Sequence, residues 1–364
     1  MAVDVRDVAV KLDESILEVL PDGGKVVSVT TSGQSDYCNT FRIEVSLPDG
    51  TSQAFFQKEA KGQYGWNLME AAFQSESSTH QFIPEYVPRP IKLGTYKSDP
   101  DTHFFLADFV DMLEDTIPDP GPYMAAVVAL HSRSMGKSPE GKFGFGVNTR
   151  FGDLEQSNGW TSSWEAFWTG QMRDFIDREE RLRGPLSEDH SKLKELFFEK
   201  VLPRYLRPLE TGGRSITPCL IHADLWPGNV KYRTDNETVC LYDASALWGH
   251  NEVDLGVFRN PRYTLGAAYL KEYWKHASQS EPVEDADSRN SIYMTRNQIL
   301  LATLYPNEPG LRDVWVQSIR LLVEGVLSEE AEAEAETETV TQATSALEAS
   351  TALEASTGKI KTRL

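Results

Sequence analysis

The stretch Leu220-Ile221-His222-Ala223-Asp224-Leu225-Trp226-Pro227-Gly228-Asn229, with Leu241-Tyr242-Asp243 after it, constrains this chain more than any other. Two apolar, strand-like runs each end in polar chemistry. Asp224 is a carboxylate on a loop, Asn229 is an amide five residues later, and Asp243 stands alone fourteen residues beyond that. A carboxylate so placed can accept a hydroxyl proton. A neutral amide and a second carboxylate offer hard oxygens to Mg²⁺ on a triphosphate. Pro227-Gly228-Asn229 is good turn chemistry in any protein. A turn alone accounts for neither Asp243 nor the spacing, so the pattern points to phosphoryl transfer with Asp224 as base and Asn229 and Asp243 as metal ligands.

These residues carry a family resemblance. His222 to Asn229, Tyr242-Asp243 and the block Trp248-Gly249-His250-Asn251-Glu252-Val253-Asp254-Leu255 together resemble the fructosamine kinase family, within the wider protein-kinase-like and aminoglycoside-phosphotransferase-like group. The resemblance extends over roughly residues 30–325 and is strongest at 219–256. It implies an α+β, bilobal fold with a small β-rich lobe over residues 1–110 and a larger, mainly helical lobe over 111–328. It implies ATP and Mg²⁺ as cofactors. It also implies phosphorylation of the 3-hydroxyl of a ketoamine, a sugar adduct on a small amine or a protein lysine, as a deglycation repair step. Trp226, beside the base, and His250 are expected near the sugar, with Asp254 tying the following helix to the catalytic loop and His222 bracing that loop. The Pro that usually follows the metal aspartate is Ala244 here. Two other readings stay open: a kinase of another small molecule, such as an amino alcohol or an antibiotic, and a non-catalytic pseudokinase that only binds.

Val8–Leu20 reads as a helix ended by Pro21 to Gly24, and Val26–Thr31 and Thr40–Ser46 as strands. Between those strands lies Thr31 to Asp36 with one glycine, Gly33, where a nucleotide-covering loop would place backbone N–H groups. Ala54–Lys58 is a strand ending in a lysine, so Lys58 is expected on the α/β-phosphates. Trp66–His80 is the next helix. The family's glutamate would fall near Ala72; Glu70 and Glu76 flank it, and Glu76, one turn on, is favoured as partner of Lys58. Phe104 to Val110 reads as a strand running into the hinge, with adenine expected against the Phe109 backbone.

In the second part Tyr123–Arg133, Phe167–Arg183, Ser187–Val201, Asn260–His276, Ser291–Tyr305 and Leu311–Leu327 read as helices, and 277–290 as a surface loop. His131 reads as a packed helix residue, and Trp160 as a candidate for sugar stacking. From Ser328 the composition changes. Residues 329–364 hold eight glutamates against three basic residues and repeat Ala-Leu-Glu-Ala-Ser-Thr twice, which reads as a disordered acidic tail. The net charge of −19 argues against nucleic acid and anionic membrane as partners. Cys38, Cys219 and Cys240 have no metal spacing, and no apolar run follows basic residues at the start. A cytoplasmic monomer or weak dimer is the expectation.

Overall fold

The structure is a computed structural model, and it describes residues 12–33, 35–235 and 238–361. Helix α1 (Glu14–Leu17) precedes strands β1 (Lys25–Thr31), β2 (Asn39–Ser46) and β3 (Ser52–Lys61). Helix α2 (Gly62–Phe82) follows, then β4 (Pro90–Thr95) and β5 (Thr102–Asp108). The five strands form one antiparallel sheet in the order β1-β2-β3-β5-β4. Its apolar strands are legible from their β-branched and aromatic residues, and Pro48-Asp49-Gly50 turns β2 into β3, with Asp49 accepting from the Thr51 amide at 2.9 Å.

Strand β5 shows why this lobe is layered. Successive side chains of a strand point to opposite faces. Phe104 and Leu106 pack with Ile16, Ile43, Val45 and Phe55 on one face, while Phe105 and Ala107 pack with Met69 of α2 on the other. A continuous apolar run is therefore buried on both sides, and it holds β3, its neighbour, at the centre of the lobe.

The chain then enters the larger lobe through β6 (Met112–Leu113) and α3 (Pro120–Ser134). The hairpin β7 (Thr149–Phe151) and β8 (Leu154–Gln156) leads to α4 (Trp164–Arg183), α5 (Glu188–Leu196) and α6 (Leu202–Leu206). Short strands β9 (Cys219–Ile221), β10 (Val230–Arg233), β11 (Val239–Leu241) and β12 (Leu247–Gly249) frame the polar loops. Helices α7 (Gly256–Arg259), α8 (Ala267–Tyr273), α9 (Ala286–Leu304) and α10 (Leu311–Lys361) complete the lobe. One large core joins them, with Trp164, Trp168, Tyr293 and Trp315 among its fully buried side chains.

Several expectations are corrected. Residues 8–11 of the expected Val8–Leu20 helix lie outside the described residues, and over 12–20 only α1 is helical. Asn260–Gly266 is a loop rather than the start of a helix: Pro261 removes a donor, and Gly266 adopts φ +100°. The polar 277–290 segment ends inside α9, which begins at Ala286. The tail was expected to be disordered, and up to Lys361, among the described residues, it is helical. Helix α10 runs on to Lys361, because Ala and Glu are strong helix formers and its first turns are already nucleated by packing of Trp315, Ile319, Val323 and Val326. Arg204 and Tyr205 hold Glu329 at 2.9 and 3.1 Å, and every position from Ala331 to Gln342 is exposed. No helix among the described residues is long and apolar enough to cross a membrane.

Candidate active site

A cleft of about 990 Å³ lies between the sheet lobe and the helical lobe. Gly33, Lys58, Glu76 and Phe109 line it from above, and Asp224, Trp226, Asn229 and Asp243 from below. Eight of the expected site residues thus meet in one place.

The loop after β9 is built by hydrogen bonds to its backbone. Asp254, fully buried, accepts from the amides of His222 at 2.8 Å and Ala223 at 2.7 Å, and from His131 Nε2 at 3.0 Å. His222 Nδ1 accepts from the Asp224 amide at 3.2 Å, so Nε2 carries the proton and donates to the Tyr242 carbonyl at 3.1 Å. His222 is a brace between the two polar loops, and burial keeps it neutral by lowering its pKa. Ala223 and Asp243 both adopt left-handed backbone, at φ +65° and +56°. Non-glycine residues rarely do so, and such strain persists only where the surroundings hold it.

Asn229 joins the two acids. Its Nδ2 donates to Asp224 Oδ2 at 2.9 Å, to the Asp224 carbonyl at 3.0 Å and to the Asp243 carbonyl at 3.4 Å. Its carboxamide oxygen accepts no hydrogen bond among the described residues. One carboxylate and one free carboxamide oxygen form a donor set of hard oxygens. That suits Mg²⁺, which takes one or two protein ligands and fills its octahedron with water and phosphate. Burial pushes Asp224 up to about 7, with Arg296 opposing and Asp243 adding to the shift. A base poised there matches neutral operating conditions.

Lys58 reaches across the cleft and forms an ion pair with the Asp243 carboxylate. Burial works against its charge, but Asp243 outweighs burial and holds the ammonium above its ordinary value. Glu76, not Glu70, faces this pair. Its Oε1 accepts from the Asp243 amide at 2.7 Å, and its Oε2 has no partner. Burial, reinforced by Asp243, pushes Glu76 up to about 8. The Lys58 ammonium is therefore bonded to the aspartate and not to the helix glutamate. At the hinge, the Phe109 amide is already spent on the Ala54 carbonyl at 3.0 Å. The neighbouring Val110, also on the cleft wall, has backbone groups with no hydrogen-bond partner among the described residues.

Trp226 is 42% exposed at the cleft, tilted against Tyr263 with ring centroids 6.3 Å apart. Its indole folds back over Gly228, where an added Cβ would lie 2.1 Å from the ring. Two expectations are corrected. His250 is buried away from the cleft, with Tyr293 and Ser280 hydroxyls at 2.8 Å on its two nitrogens. Trp160 is partly exposed but does not line the cleft either. The Gly-His-x-Glu block instead serves the core: Glu252 forms a buried two-armed pair with Arg289, at 2.8 and 3.1 Å. Arg296 was not foreseen. Its neighbours Thr295, Asn297 and Gln298 make it read as a surface residue. Its spacing from Arg289, with Ile292 and Ile299 on the same stripe, was the available signal of a buried face.

Burial lowers His250 to about 4, so it folds neutral. An unfolded histidine near 6.5 gains protons as pH falls through that value, while the folded one refuses them until about 4. His250 thus costs stability as pH drops below about 6.5. Asp224 and Glu76, whose pKa values are raised, act with the opposite sign over an overlapping range. The readout is therefore a difference. Between pH 7.5 and 5, His250→Asn is expected to gain about 2 kcal/mol relative to the parent chain. Chemical denaturation at both pH values measures it, and parallel pH profiles would refute it.

Comparison with known proteins agrees with this geometry. The profile of the fructosamine kinase family matches residues 35–301. A chloroplastic protein-ribulosamine 3-kinase of Arabidopsis thaliana is 26% identical over 241 residues, covering 65% of this chain and 63% of its own. The mouse ketosamine-3-kinase is 34% identical over 119 residues, 32% of this chain and 35% of its own. The matches span between 55% and 63% of the length of the chloroplastic relatives. Among solved structures, a Thermobifida fusca protein assigned as a fructosamine-3-kinase superposes with a TM-score of 0.64 at 23% identity, over 83% of this chain and 95% of that one. The aminoglycoside phosphotransferase APH(4)-Ia, in a complex with AMP-PNP and hygromycin B, superposes at 0.55 with 11% identity, over 86% and 98%. These likenesses establish the bilobal, kinase-like α+β fold. With the family profile matching most of the chain, this protein belongs to the fructosamine kinase family.

Proposed function

We propose that this protein is an ATP- and Mg²⁺-dependent kinase that phosphorylates the 3-hydroxyl of ketoamines, on small amines or on protein lysines. The observation that carries the reading is the convergence of Asp224, Asn229, Asp243 and Lys58 on one cleft. Asp224 takes the proton of the acceptor hydroxyl as its oxygen bonds to the terminal phosphorus and the bond to ADP breaks. Lys58 leaves Asp243 for the α/β-phosphates, and the strand behind it fixes its reach. Asn229 and Asp243 present their oxygens to Mg²⁺, which offsets charge on the phosphates when bound. The unpaired backbone of Val110 is the place to read an adenine edge. Trp226 and Tyr263 form an aromatic wall beside Asp224, suited to the apolar face of a sugar.

The names of the relatives support the ketoamine class, and the intact triad of Asp224, Asn229 and Asp243 supports catalysis over mere binding. The test is ATP consumption with fructosyl-, ribulosyl- and psicosyl-lysine, with and without Mg²⁺. Metal-dependent turnover on at least one ketoamine is expected, with the product phosphorylated at the 3-position. Turnover confined to amino alcohols or aminoglycosides would overturn the substrate class, and no turnover on any acceptor would overturn the kinase reading.

A further inference from the structure

The least expected side chain near the cleft is Arg296. It projects from α9 and is only 2% exposed. Its Nη1 donates to the Ala223 carbonyl at 3.0 Å, and its Nη2 to Gln156 Oε1 at 2.6 Å. Its Nε has no partner. The guanidinium lies 4.7 Å from the Phe151 ring centroid and 5.8 Å from that of Phe175. Among the described residues no carboxylate lies within ion-pair distance of it. Burying a charge against neutral partners alone is costly, and an apolar side chain of the same size would pack there without that cost. Burial lowers the guanidinium to about 10, so it still carries its charge at neutral pH. Something must offset the expense.

The answer lies in what Arg296 holds. Ala223 is the residue in left-handed backbone immediately before the proposed base. Its amide is bound by Asp254 and its carbonyl by Arg296, so both of its peptide groups are pinned. Released at either end, an alanine relaxes toward negative φ, and the next side chain turns with it. Helix α9 itself is fixed in depth: an added Cβ on Gly256 of α7 would lie 2.5 Å from the Tyr293 backbone, one turn before Arg296. The clamp therefore stands on a rigid floor.

We propose that Arg296 is a positioning residue for phosphoryl transfer: it holds Ala223 in its strained conformation, so aiming Asp224 into the cleft, and sets a fixed positive charge behind the acids of the loop. The inference rests on the kinase reading above. Protein-kinase loops of the form H-R-D carry a cation inside the loop. Here that position is Ala223, and the cation comes from a helix distant in sequence.

The test compares the full-length chain with R296K, R296Q and R296M on whichever ketoamine the parent enzyme phosphorylates. Melting temperatures establish which variants are folded. A misaimed base affects the chemical step, where a displacement of about 1 Å costs on the order of 100-fold. We expect kcat to fall about 100-fold in R296M. The KM for ATP should stay within about twofold, because no nucleotide contact is touched. R296K, which keeps the charge and one donor, is expected to recover about tenfold of that loss, with R296Q between the two. If R296M does not fold, R296K against R296Q gives the same contrast. Full kcat in R296M or R296Q from an active parent overturns this inference alone. So does an equal loss in every folded variant with kcat and KM changing together, since that marks a merely structural arginine. A parent enzyme inactive on every acceptor overturns the kinase reading, and this one with it.

Discussion

Replacing Asp224 by alanine is expected to lower kcat by about 1,000-fold or more, on the order of 4 kcal/mol of transition-state stabilisation. Nucleotide affinity should change little, because Lys58, Asn229, Asp243 and the hinge backbone remain. The partly exposed Trp226 indole beside the site offers a fluorescence signal for that titration. The variant should also melt no lower than the parent. Burial disfavours the Asp224 charge and outweighs the one hydrogen bond its carboxylate takes from Asn229, while the Asp224 backbone contacts survive the substitution. Near-normal turnover in a folded Asp224→Ala protein would show that another group takes the proton.

The second large effect concerns stability. Glu252→Gln leaves the Arg289 guanidinium, which is fully buried, facing a neutral amide. Breaking one side of a buried ion pair costs about 3–5 kcal/mol, and the melting temperature should fall by roughly 10 °C. Glu252 also accepts from the Ser280 amide at 2.9 Å, so the loop leading to α9 should loosen with it. Replacing both partners by apolar residues of similar volume, Glu252→Met with Arg289→Met, is expected to recover much of the loss. Equal destabilisation in the single and the double variant would refute this account.

The loop of candidate site residues was legible in the sequence because its pattern is local. His222, Asp224 and Asn229 lie within eight residues, and the argument for their proposed roles is one of spacing. Strand β3 and Lys58 were legible for the same reason, since the short aromatic run Phe55-Phe56 after the Pro48-Asp49-Gly50 turn announces itself. What failed was long-range. His250 reads as a residue near the sugar; the fold turns it inward, against Tyr293 forty-three positions away. Trp160 reads as a stacking platform, yet it stands partly exposed and does not line the cleft. Arg296 hides in a polar helix whose buried face appears only once α4, α7 and α10 are packed on it. Composition misled at the tail as well. Low apolar content excludes a core of its own, but not a helix propagated from one that is already packed.

Helix α2 spans the divide between the lobes in a way that bears on turnover. Glu76 takes the Asp243 amide, and beside it the buried Ser75 hydroxyl accepts from the Ala246 amide at 3.3 Å. The upper lobe is thus latched to the very segment that would carry the metal. A jaw swinging on residues 109–111 alone cannot gape without undoing that latch and stranding polar atoms in a dry seam. On the proposed kinase reading, spent nucleotide can leave by that swing only when the contacts of α2, the helix behind Lys58, to the lower lobe give way.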